Sequence, residues 1–109
     1  MGLLAMLAAL SAAIAIAAGA FGAHRAEGAA VEWLRTGGHY QLIHAVAALV
    51  ALRWEMRGVA WAFVIGAGLF AGTLYAMAFG APRWLGAITP IGGTILIIGW
   101  LWFAWKLRG

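Results

Sequence analysis

Four apolar runs, separated by short polar stretches, make up nearly the whole of this chain. Residues 3–22 carry no charge and, at 1.5 Å per residue, are long enough to cross ~30 Å of hydrocarbon as a helix. The same pattern predicts spans over residues 38–54, 59–80 and 88–105. Arg53-Trp54-Glu55-Met56-Arg57-Gly58 is too short to be anything but a link between antiparallel helices. Ala81-Pro82-Arg83-Trp84-Leu85-Gly86 is the second return, and Thr89-Pro90 reads as an N-cap followed by proline at the first helical position. The polar stretch 23–37 contains His24, Arg25, Glu27, Glu32 and Arg35, yet Val31, Trp33 and Leu34 give it an apolar side. It is expected to form a short amphipathic helix lying in the interface, ended by a sharp turn at Gly37-Gly38. The expected fold class is therefore all-α: a single integral membrane domain over 1–109, built as a four-transmembrane-helix antiparallel bundle.

The first run also resembles a secretory signal peptide, being Ala-rich ahead of Ala23. Its start carries no Lys or Arg, so a retained first helix is the expectation.

Composition supports the membrane reading. Hydrophobic residues are 66% of the chain and charged residues 9%, with a mean hydropathy of +0.98. Sixteen glycines against two prolines suit closely packed transmembrane helices. The chain has no cysteine, which excludes disulfides and thiolate metal sites. A pI of 10.8 raises the question of nucleic acid, but the seven Lys and Arg stand singly between apolar runs. A nucleic-acid face needs them clustered, so no such partner is expected. Arg53, Arg57, Lys106 and Arg108 lie on the side of both termini, against Arg25, Arg35 and Arg83 on the other. That majority of one favours cytoplasmic termini in a bacterial plasma membrane.

Small residues mark packing faces. Ala5, Ala9, Ala13 and Ala17 recur every four residues, and Gly68, Gly72, Ala76 and Gly80 form a second stripe that starts with GxxxG. The neighbour of that second stripe is either another helix of the chain or another copy. Trp33 and Trp84 fall at one expected surface and Trp54, Trp61 and Trp105 at the other, as interfacial belts do. Ala20-Phe21-Gly22-Ala23-His24-Arg25-x-x-Gly28 is echoed by Ala78-Phe79-Gly80-Ala81-Pro82-Arg83-x-x-Gly86. Two copies of a helical hairpin would produce this, and so would coincidence in a chain so rich in small residues.

Alternating threading gathers the unusual polar side chains at the surface faced by the first and third connections. These are His24, Glu27, His39, Tyr40, Gln41, His44, Tyr75, Thr89 and Thr94, with Ser11 in the opposite half. Tyr40, Gln41 and His44 share one face of an ideal helix, and His44 is expected roughly 9 Å below the surface. The plain reading is interhelical bonding among them, at ~0.6 kcal/mol per bond. The sharper reading is a small-solute, proton or lipid-headgroup site, since ionisable groups inside a membrane mark function and His titrates near neutrality. A metal set of His24, Glu27 and His44 lacks the i,i+4 histidine pair that makes one helix a ligand. No acyl-transfer dyad is expected: Ser11 lies at the wrong depth, Asp is absent, and the carboxylates are Glu27, Glu32 and Glu55. The start of the last helix, Thr89 to Gly93, could hold an anion, but an ordinary capped terminus accounts for it.

Several motifs occur in an order that resembles a known family. They are Gly19-Ala20-Phe21-Gly22-Ala23-His24, Tyr40-Gln41-x-x-His44-Ala45, Gly72-Thr73-Leu74-Tyr75, and Leu85-Gly86-Ala87-Ile88-Thr89-Pro90-Ile91-Gly92-Gly93. Together they resemble the domain-of-unknown-function 423 family of small bacterial inner-membrane proteins, which has eukaryotic transmembrane relatives. The resemblance implies a four-helix membrane protein and touches His24, Tyr40, Gln41, His44, Tyr75, Thr89, Pro90, Gly92 and Gly93. It omits His39 and implies no activity. The functional expectation is a non-enzymatic scaffold or accessory subunit without cofactor or metal, partnered by the lipid bilayer and forming a homo-oligomer or joining a larger membrane complex. The alternatives are an oligomeric small-solute or proton-linked transport element and a membrane-embedded metal site.

Overall fold

The apolar runs fold into helices that alternate in direction. The structure is a computed structural model describing residues 2–109. Its helices are α1 (Leu3–His24), α2 (Ala29–Arg53), α3 (Arg57–Ala78) and α4 (Thr89–Leu107), with a 3-10 turn over Arg83–Ala87. Among the described residues there is no strand. Phe21 meets Phe79 at 5.3 Å, and Arg83 lies 5.6 Å over the Trp33 ring. These contacts bring the first and third connections to one end of the molecule. Trp54 against Phe103, at 5.9 Å, marks the other end. α1 packs along α2 and α4 along α3, while α2 and α4 make no extended contact.

Three segments are long and apolar enough to cross a membrane: Leu3–His24, Arg57–Ala78 and Arg83–Leu107. α2 has the length, at 25 residues, but Glu32, Arg35, His39, Gln41 and His44 dilute its hydropathy. Outward surfaces are aliphatic: Ile14 and Ile16 on α1, Ile43 and Val46 on α2, Ile65 on α3, Ile97 and Leu101 on α4 are all exposed. Such a continuous apolar exterior suits hydrocarbon as its solvent.

The expected interfacial helix is not a separate element. Residues 29–53 form one helix that runs straight through Gly37-Gly38. Packing explains these glycines better than a turn does. A methyl group at Gly37 would come within 2.7 Å of the Tyr75 ring, and one at Gly38 within 2.9 Å of the Ala15 carbonyl oxygen. α2 therefore starts at residue 29 instead of 38, which is nine residues or ~13 Å of additional helix.

Other boundaries move less. α3 ends at Ala78, so Gly80 leaves the predicted stripe and turns the chain at φ 103°. Ile88 occupies the cap position of α4, and Thr89 is buried in its first turn instead of capping it.

Small residues set the helix separations. The face of α1 that packs inward is Leu4, Ala8, Ser11, Ala15 and Gly22, whereas Ala9, Ala13 and Ala17 are exposed. The inward stripe thus lies one to two residues away from the predicted seam. Gly66 takes the Leu96 side chain, and Gly92 sits against the backbone of Gly66 and Phe70. Gly68 and Gly72 have open space where a side chain would stand. Phe63 is the largest fully buried side chain and anchors a core of Leu4, Ala48, Ala51, Val59, Ala60, Ala67, Leu96 and Phe103.

Candidate functional site

The longer α2 carries its polar residues into the interior of the bundle. Gln41 and His44 are 6% and 5% exposed. The Gln41 amide donates to the Ser11 hydroxyl at 2.9 Å, and its carbonyl accepts from the Tyr75 hydroxyl at 2.7 Å. One carboxamide thereby joins α1, α2 and α3. Ser11 is eight residues (11 − 3) into a 22-residue helix, which puts this contact ~12 Å from the start of α1. Ser11, expected in the opposite half, is in fact a partner of Gln41. The phenol of Tyr75 lies beside Gly37, whose missing side chain makes room for the ring.

His44 belongs to a different contact, one turn farther along α2. Its Nδ1 is 2.6 Å from the Tyr40 carbonyl oxygen, and its Nε2 is 3.0 Å from the Trp100 indole nitrogen. A carbonyl only accepts and an indole N–H only donates, which fixes the imidazole as the neutral tautomer with hydrogen on Nδ1. An imidazolium here would set N–H against N–H. The ring also packs on Phe63, at 5.6 Å between centroids. With both nitrogens engaged, neither is free to ligate a metal.

A third contact joins α3 to α4. The hydroxyls of Thr73 and Thr89 are 2.6 Å apart, and Thr89 also donates to the Leu85 carbonyl at 3.3 Å. Among the described residues, every buried side-chain nitrogen or oxygen has a partner.

The sequence-derived set is therefore not one cluster. Gln41 and Tyr75 meet; His44 and Thr89 each find partners that the sequence reading did not include, Trp100 and Thr73. Tyr40 is 43% exposed and packs on Phe70 at 4.8 Å. Thr94 is exposed and bonds back to the Pro90 carbonyl at 2.8 Å, away from the other polar groups. His24 is exposed at the end of α1, and Glu27 is exposed beyond it. Among the described residues no three His, Asp or Glu side chains come together as a metal site, so His24, Glu27 and His44 stand apart. Trp100 is 43% exposed, yet its indole N–H turns inward to His44; an indole N–H inside an apolar segment seeks an acceptor, and His44 offered one. Thr73 stands in the Gly72-Thr73-Leu74-Tyr75 motif, but nothing in the sequence pairs it with Thr89.

Two features border these contacts. A groove of about 350 Å³ between α2 and α4 is lined by Tyr40, His44, Phe70, Leu96, Ile97 and Trp100. At the end holding the first connection, Arg35 and Glu32 form an ion pair at 3.3 Å, 76% and 68% exposed and so of little energetic weight.

Comparison with known proteins gives a consistent picture. The family described as "Protein of unknown function (DUF423)" matches residues 18–93. A UPF0382 membrane protein of Haemophilus influenzae is 40% identical over 109 residues, covering 91% of this chain and 88% of the relative. The UPF0382 membrane protein YwdK of Bacillus subtilis is 36% identical over 109 residues, covering 88% of each. The UPF0382 inner membrane protein YgdD of Escherichia coli K12 is 36% identical over 106 residues, covering 87% of this chain and 81% of the relative. No solved structure matches. The apolar exterior, the helical bundle and this breadth of similarity lead to one conclusion: the chain belongs to the DUF423 family of bacterial inner-membrane proteins of unknown function.

Proposed function

We propose that the chain is a non-enzymatic membrane scaffold or accessory subunit that crosses the bilayer four times. The observation that carries this reading is the internal pairing of the buried polar side chains. Ser11, Gln41 and Tyr75 bind one another, His44 binds Trp100, and Thr73 binds Thr89. Side chains so engaged hold helices in register. The transport alternative, built on Tyr40, Gln41 and His44, finds both ends of the Gln41 amide and both His44 nitrogens already occupied.

α2 is the fourth span in this reading. Support comes from its central position, flanked by α1 and α3, and from its aliphatic outer residues Leu42, Ile43, Val46 and Val50. The outward Gly68/Gly72 face of α3 is the proposed contact with a second copy or a larger complex, because both glycines leave open space at the surface.

Two measurements test this. Single cysteines at Gly28 and Glu55, labelled in intact vesicles, should react from opposite sides of the membrane; labelling from the same side removes α2 as a span. Gly72→Cys should form a disulfide-linked dimer in native membranes, and Gly72→Leu should weaken the assembly. A chain that stays monomeric and uncross-linked in its own membrane sinks the scaffold reading.

A further inference from the structure

We propose that the groove between α2 and α4 holds an acyl chain of an anionic phospholipid, with the headgroup against Arg83 and Trp33. This inference rests on α2 crossing the membrane and is independent of the scaffold reading.

The groove exists because α2 and α4 make no extended contact, leaving Phe70 and Leu96 as its floor and Tyr40 and Ile97 on its sides. His44, the polar group at its deep end, has both nitrogens bonded, so hydrocarbon can lie over it without stranding a donor or acceptor. Length is the next argument. Trp33, Tyr40 and His44 are seven and then four residues apart, which keeps them on one side of α2. From Trp33 to His44 is eleven residues (44 − 33), or ~16 Å of helix, against ~15 Å for half of the hydrocarbon core. The groove itself runs beside Tyr40 and His44, and Trp33 stands two turns (~10 Å) above Tyr40 on the same side of α2, so the two together span about one leaflet.

Charge selects the kind of lipid. Arg83 lies 5.6 Å over Trp33, above the Tyr40 end of the groove. Glu32, the neighbouring carboxylate on α2, is taken by Arg35, and Arg83 has no carboxylate partner among the described residues. A guanidinium presents a planar fork of donors that matches phosphate oxygens, and an anionic headgroup adds attraction that a zwitterionic one lacks. The occupant is therefore a glycerophospholipid with net negative charge, one tail in the groove.

The test uses the full chain in vesicles of equal phosphatidylglycerol and phosphatidylcholine, extracted gently and examined by native mass spectrometry. Retained phosphatidylglycerol should exceed phosphatidylcholine several-fold. Arg83→Gln should bring the ratio close to one, and Ile97→Trp, which fills the groove from its exposed side, should remove most retained lipid. Circular dichroism confirms that each variant keeps its helices. Equal retention by the unmodified chain, a preference that survives Arg83→Gln, or cross-linking of Ile97→Cys to a second copy overturns the proposal. If Gly28→Cys and Glu55→Cys label from opposite sides while lipid selectivity is absent, the lipid proposal alone fails; same-side labelling removes both.

Discussion

Gln41 is the residue on which most of the interior depends. Its amide is the sole side-chain partner of Ser11 and Tyr75 among the described residues, so Gln41→Leu strands two hydroxyls at once. The expected loss is roughly 1–2 kcal/mol of unfolding free energy in detergent micelles, since interhelical bonds average ~0.6 kcal/mol each. Ser11→Ala removes one bond and should cost roughly a third to a half as much. Equal losses from the two variants would contradict the three-residue chain. These identities were only partly legible in the sequence. Gln41 and Tyr75 stand out in the sequence as costly groups in an apolar setting, whereas Ser11, just short of the middle of α1, is not recognisable there as their partner. The depth of Ser11 relative to Gln41 depends on where α2 begins, and the local pattern misplaced that start.

Helix positions follow from glycines, and their roles separate cleanly. Gly92 lies against the backbone of Phe70 and Gly66, where backbone cannot yield, while Gly68 faces open space. Gly92→Ala should push α4 off α3 and destabilise by roughly 1–3 kcal/mol, as overpacking does. Gly68→Ala should leave the monomer within ~0.5 kcal/mol of its original stability. Thermal unfolding in one detergent compares them, and equal effects would mean that α3 and α4 are not packed as described. The existence of all four helices was legible from apolar runs alone. The continuity of α2 was not, because Gly-Gly in sequence signals a turn and close helix approach with equal strength. Tyr75 and Ala15 decide between the two, and neither is adjacent in sequence.

For the whole molecule, the threading could be read before any coordinates, because short links permit only antiparallel neighbours. The open side between α2 and α4 could not, since it reflects how α4 leans on α3 through Gly66, Gly92 and Gly99. Trp54, Glu55 and Met56 alone connect α2 to α3, with Glu55 in the left-handed region at φ 59°. This tether has a consequence for biogenesis. α2 by itself offers the translocon a marginal stretch: the Gln41 amide can reach Ser11 on the earlier α1, but its carbonyl waits for Tyr75 on α3 and the His44 Nε2 for Trp100 on α4. Under the four-span proposal, its commitment to lipid is expected to wait until the following helix emerges, so that the two enter as a hairpin. A released chain ending at Met56 should leave Glu55→Cys and Gly28→Cys reactive from the same side, and one extended past Tyr75 should separate them.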